Sequence, residues 1–196
     1  MLAQLRASIV TMALFTLLFG IAYPLAMTGA AGVLFPDQSR GSLIKDAGGH
    51  IVGSALIAQG FAKPEYLHPR PSAAGSGYDP MNSGGSNLGP MDPALAKRMA
   101  GDAAAIRKDL PNAIIPADAL TTSGSGLDPD VSPENARMQA PRIAAARHMA
   151  VANVEAAIDG ATGQPFLGFI GQPHVNVLAV NRALDAARPT AQPKAS

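Results

Sequence analysis

The chain has 196 residues, 47% of them hydrophobic, with 15 Lys and Arg against 14 Asp and Glu and no cysteine. A balance so close to neutral argues against a nucleic-acid partner, and the missing cysteines exclude disulfides, Cys-ligated zinc and thiol nucleophiles. With aromatic residues at 5%, the core has to be built from Ala, Ile, Leu, Val and Met, and the length allows an anchor followed by one domain of ordinary size.

The first element is apolar. No charged residue occurs from Ala7 to Phe35, and Ile9–Leu25 is rich in Leu, Phe, Ile and Met. About 20 helical residues cross a hydrocarbon layer of roughly 30 Å, so this segment is long enough to span and predicts a transmembrane anchor over residues 1–35, with Pro24 kinking or ending the regular helix. The competing reading is a cleaved signal peptide, with Thr28, Gly29 and Ala30 as small exit residues. Against it, the apolar run exceeds a signal core of roughly 7–15 residues, and Met27 interrupts the exit. Arg6 and the α-amine precede the span, whereas Asp37, Arg40, Lys45 and Asp46 cancel beyond it. The positive-inside rule then predicts a cytoplasmic N-terminus and a periplasmic domain.

The remainder predicts a single α+β domain over 36–190 and a short tail at 191–196. Gly48–Ile57 sets Ile51, Ala55 and Ile57 at a period of two and reads as a strand or hairpin arm. Gln59–Pro90 is dense in Gly, Pro, Ser and Asn, the composition of a functional or disordered stretch. Asp92-Pro93 is a helix-start signature, followed by Leu95, Met99, Ile106 and Leu110 at helical spacing. Ala113–Pro116 reads as a short strand, Thr121–Pro129 as a turn-rich loop, and Ser132-Pro133-Glu134 as another helix start. Pro141 is expected to interrupt that helix, while Ile143, Ala146, Ala150, Val154 and Ile158 carry a helical stripe on to a Gly160 cap, a pattern that two consecutive helices or one kinked helix would satisfy. His174–Val180 alternates as a strand, with a short helix around Arg182–Ala187.

Several chemistries are missing. A P-loop needs a Gly-Lys pair so that backbone amides and the lysine meet phosphates, and the chain has none. It also lacks the Asp-Lys-Thr-Gly-Thr phosphorylation motif of P-type pumps and the Gly-x-Ser-x-Gly elbow of serine hydrolases. His50, His68, His148 and His174 have no HExxH spacing, so no metal site is predicted.

The ordered set Pro64-x-Tyr66, Arg70-Pro71-Ser72-Ala73, Ser83–Pro90 (SGGSNLGP), Ser125–Pro129 (SGLDP), Gln139 with Arg142, and Val175-Asn176-Val177-Leu178 resembles the KdpC family, the C subunits of potassium-transporting Kdp ATPases. The resemblance covers nearly the whole chain. It implies an accessory, non-catalytic subunit in the bacterial inner membrane, with three partners besides the lipid bilayer. These are a KdpA-type subunit with the potassium path, a KdpB-type ATPase and a very small KdpF-type subunit. It further implies a catalytic chaperone that raises the ATP affinity of the B subunit through a transient ternary complex, with ATP as the ligand. Pro141 departs from what a family-like helix would carry and bears on the register of Gln139 against Arg142.

Two readings of the candidate residues stay open. Ser83, Gly84, Gly85, Ser86 and Asn87 form either a backbone nest for a nucleotide, helped by Arg142, or a tight loop docking a partner. Ser125 and Asp128 belong to a Gly-rich loop that either orients Asp128 to a ligand or sets a turn. Gln139 and Arg142 share a helix face and either contact these loops or face solvent. Tyr66 with Arg70 reads as an interface pair. A periplasmic domain would not meet cytoplasmic ATP, so orientation separates the nucleotide chaperone from a domain that stabilises the A subunit; the third possibility is a secreted protein.

Overall fold

In a computed structural model, the structure describes residues 2–187. The tail expected at 191–196 and the last three residues of the expected domain lie outside the described residues. Among the described residues the fold is α+β, with mixed helices and two small sheets after one apolar N-terminal helix. Its contacts separate two units at the Ser54–Ala55 boundary, so residues 36–54 group with the N-terminal helix.

In the first unit, α1 (Leu2–Leu17), a π-helical turn (Leu18–Ala22) and α2 (Tyr23–Leu34) form one continuous helix of 33 residues, none of them buried. At 1.5 Å per residue it is about 50 Å long, ample for a bilayer. It does not end at Pro24. Proline has no N–H and its ring crowds the carbonyl four residues back. Here the turn before it widens, with Tyr23 N–H donating to Leu18 O, five residues away. The helix stops instead at Phe35 (φ −136°, ψ 62°), which precedes Pro36 and is thereby pushed out of the helical region. A short α3 (Pro36–Ser39) leads into an antiparallel hairpin of β1 (Leu43–Lys45) and β2 (Ile51–Ser54), in register Leu43 to Ser54 and Ile44 to Gly53. Asp46 Oδ1 accepts from the N–H groups of Gly48 and His50 and fixes the turn. The strand expected over Gly48–Ile57 is therefore the second arm of this hairpin, and it is shorter than the pattern suggested.

The second unit has its core where α5 (Pro133–Arg147), α6 (Val151–Gly160) and α7 (Val177–Ala186) meet a sheet of order β3-β5-β4 (Asp130–Val131, His174–Asn176, Thr162–Gly163). Leu67, Ile143, Val154, Ile158, Val175, Val180 and Leu184 are fully buried, with Ala136, Ala140 and Ala144 letting α5 approach closely. Ser132 caps α5 by accepting from Asn135 N–H, and Asp92 caps α4 (Pro93–Asp109) by accepting from Ala94 N–H, as their sequences predict.

Four local expectations are corrected. Pro141 does not interrupt α5. The residue four positions back, Arg137, is exposed like Pro141 itself, so the carbonyl freed by the missing N–H sits on the outer face. The break comes at His148, which takes a left-handed conformation (φ 54°, ψ 43°) before α6 begins. Ala113–Pro116 is irregular rather than a strand and leads into a 3₁₀ turn at Ala117–Ala119. The expected strand His174–Val180 ends at Asn176, because the Asn176 side chain accepts from Ala179 N–H and starts α7 there. Gly160 is the last residue of α6, with the cap at Ala161.

Candidate functional site

The irregular stretch after residue 59 is held by side chains rather than by a sheet. Asn181 on α7 accepts from Leu67 N–H at 2.7 Å and donates to Leu67 O at 3.0 Å, pairing one residue as a neighbouring strand would. Gln139 on α5 does the same for His68, at 2.9 and 3.1 Å, and also donates to Asn135 Oδ1. Arg142 donates to the carbonyls of Pro64 and Tyr66 and, at 2.7 Å, to Gln139 Oε1. Arg147 donates to Glu65 O and Leu184 O, pairs with Asp185 at 2.9 Å, and lies 5.1 Å over the Tyr66 ring. Gln139 and Arg142 thus share one face, as their spacing predicts, and Pro141 leaves their register intact. What they face is the backbone of residues 64–68.

A second cluster gathers the glycine-rich loops. Arg70 pairs with Asp128 at 2.9 Å and donates to Thr121 O and Thr122 O. Ser72 Oγ donates to Gly126 O at 2.6 Å and accepts from Ala74 and Tyr78 N–H. Ser83 Oγ and Gly84 N–H both donate to Ser125 O, at 2.9 and 2.8 Å, so the SGGSN and SGLDP loops are stitched to each other. Gly85 lies against the Gly124 carbonyl, while Asn87 is exposed in a left-handed conformation (φ 53°) and Ser86 is half-buried. Tyr66 and Arg70 have separate partners. Tyr66 packs at a tilt against Phe61, with ring centroids 5.3 Å apart, and lies under Arg147, whereas Arg70 belongs to the Asp128 cluster.

Asn135, Arg147 and Asn181 were missed from sequence. The one available signal was a lone Asn181 inside the apolar stripe Val177, Val180 and Leu184, where an amide needs a specific partner. Asp118 was missed as well. It accepts from Ser132 N–H, Ser132 Oγ and Asn135 Nδ2, tying the 3₁₀ turn to the start of α5. Burial pushes its carboxyl up, but these hydrogen bonds outweigh burial and hold it below the usual aspartate value.

A cavity of about 400 Å³ opens between α4 and this framework. His68, Pro71 and Tyr78 line one side, Asp102, Ile106 and Asp109 the other, with Gln139 and Arg142 also on its wall. Burial lowers the His68 pKa below 6.5; nearby Arg142 lowers it further, opposed by the contact with the Lys63 carbonyl and by Asp109. The folded chain therefore binds this proton less tightly than the unfolded chain. The His68 contribution to stability is complete above about pH 6.5 and is lost as pH falls through the depressed folded value. Thermal melts of the full chain in detergent, followed by circular dichroism from pH 7.5 to 5, should show a falling midpoint. The fall should be shallower in His68→Gln.

Residues 5–186 match the family described as KdpC, the c chain of the K+-transporting ATPase. Potassium-transporting ATPase KdpC subunits from Caulobacter sp. strain K31 and from Beijerinckia indica are 63% identical over 189 residues and 56% identical over 195, covering 96% and 98% of both chains. The protein of the same name from Myxococcus xanthus is 50% identical over 186 residues, covering 94% of this chain and 86% of its own. Together with an apolar N-terminal helix long enough to span and a domain built on the motifs that carried the resemblance, these similarities place the chain in the KdpC family, the c chain of the K+-transporting ATPase.

Proposed function

We propose that this chain is a non-catalytic, single-pass inner-membrane subunit with a cytoplasmic N-terminus and a periplasmic domain. There it stabilises the potassium-conducting KdpA-type subunit, in a complex completed by KdpB-type and KdpF-type subunits. The observation that carries this reading is the internal commitment of three groups a nucleotide nest would use. Arg142 is taken by the carbonyls of Pro64 and Tyr66 and by Gln139, and Ser83 Oγ and Gly84 N–H by Ser125 O. Asp109 on the cavity wall also disfavours polyphosphate there, whereas Asp102 is already neutralised by its ion pair with Arg98.

The rival reading, a catalytic chaperone that holds ATP beside the B subunit, makes opposite predictions. In the assembled complex, Ser83→Ala, Ser86→Ala and Asn87→Ala should each leave the KM for ATP within about twofold of the parent, a change of under about 0.4 kcal/mol. A rise of fivefold or more would establish nucleotide contact and overturn the proposal. Since the chain has no cysteine, Glu155→Cys on the exposed face of α6 gives a single thiol. A membrane-impermeant maleimide should label it in intact spheroplasts. Labelling only after lysis would put the domain in the cytoplasm.

A further inference from the structure

Between β4 and β5 the chain forms a tight tip whose apolar side chains all point outward. Phe166 and Ile170 are bridged by paired backbone hydrogen bonds of 2.9 Å in both directions, and Gly168 N–H donates to Pro165 O at 2.9 Å. Leu167 and Gly168 turn the corner with φ of 54° and 81°. A leucine seldom adopts such a φ, and holding it there keeps a large aliphatic side chain on the outside of the turn. Phe166, Leu167, Phe169 and Ile170 are 69%, 68%, 76% and 51% exposed. No charged residue occurs from Gly160 to Pro173.

Four large apolar side chains on five consecutive residues differ from single exposed hydrophobes such as Met81, Met91 and Ile114, which need no explanation. The tip is also pre-shaped by its own hydrogen bonds, so little ordering would accompany its burial. We propose that this tip, Phe166–Ile170, inserts into the interfacial layer of the bilayer and gives the domain a second, shallow membrane contact. The choice of a bilayer over a protein groove rests on two observations. The chain's own helix Leu2–Leu34 keeps a membrane within reach of the domain, which makes the second contact effectively intramolecular. The tip and its flanks are free of charge, matching the uncharged acyl boundary and requiring no anionic lipid. The inference depends on the reading of Leu2–Leu34 as an inserted anchor.

The full chain carrying Phe169→Cys, labelled with the environment-sensitive dye NBD and reconstituted in phosphatidylcholine vesicles, tests it. Phe169 leaves the Phe166–Ile170 bridge untouched. A reference label goes on Ser76→Cys, an exposed polar loop position. The label at 169 should emit to the blue of the reference and be quenched at least threefold more strongly by phosphatidylcholine brominated near the headgroup end of its chains. Water-like, unquenched emission from a chain that floats with the vesicles overturns the inference and leaves the anchor reading standing. Shielding that appears only when the other Kdp subunits are added assigns the tip to a protein partner and likewise overturns it. A chain that fails to float overturns the anchor reading, and this inference with it.

Discussion

Replacing Asn181 by leucine should destabilise the domain by about 3–5 kcal/mol, a large share of the roughly 5–15 kcal/mol that holds a typical domain together. Asn181 is 1% exposed and Leu67 is 0% exposed, and the Asn181 amide is the partner of both the Leu67 N–H and the Leu67 carbonyl. Leucine fills about the same volume, so little cavity forms. The loss is that of two buried backbone groups left unpaired, each costing about 1–3 kcal/mol. Denaturant unfolding of the full chain in detergent would measure it. Gln139→Met should cost a comparable amount: the half-buried His68 backbone it pairs can recover part of its loss from water, but the buried Asn135 Oδ1 and an Arg142 N–H lose their partner as well. A loss below about 1 kcal/mol at either position would contradict this account.

The same residues show why some of the structure was legible and some was not. The starts of α4 and α5 depend on one capping side chain and the proline after it, all within a few positions, so Asp92-Pro93 and Ser132-Pro133 declare themselves. The spacing of Gln139 and Arg142 likewise fixed that they share a face. What that face meets was hidden, because the partners at residues 64–68 lie 71 to 78 positions away for Gln139 and Arg142, and 114 for Asn181. An extended segment paired by side-chain amides carries no alternation of its own, and so its Pro- and Gly-rich composition reads as a loop waiting for a ligand. Pro141 was misread because the rule for proline counts a lost hydrogen bond but not whether the freed carbonyl reaches solvent. In Val175-Asn176-Val177 the period of two continues past the strand's end, and only the Asn176 cap marks the change to helix. The helix break at His148 is a left-handed backbone conformation that a histidine signals only weakly.

Gly126→Ala should be among the most damaging single substitutions in the glycine-rich loops, lowering stability by about 3–5 kcal/mol. Gly126 is buried with φ +66°, and a Cβ there would sit 2.5 Å from the Gly84 carbonyl oxygen and 2.7 Å from the Ala74 nitrogen. Both obstructing atoms are backbone, and both belong to loops already fastened in place, Gly84 by its N–H on Ser125 O and the Ala74 segment by Ser72 Oγ on Gly126 O. Relief would mean separating the loops, so the steric penalty adds to the left-handed backbone penalty of roughly 1–2 kcal/mol. Gly84→Ala and Gly124→Ala provide the contrast. Neither glycine has a positive φ, and an added Cβ at either meets nothing within 4 Å, so each should stay within about 1 kcal/mol of the parent. The comparison, read by denaturant unfolding of the full chain, separates the two meanings a glycine-rich loop can have. A nest shaped for phosphate would put its constraint on the residues that face the ligand, and Gly84→Ala would change binding while leaving folding alone. A loop shaped for close backbone packing concentrates the constraint at Gly126, where the SGGSN, SGLDP and RPSA segments touch.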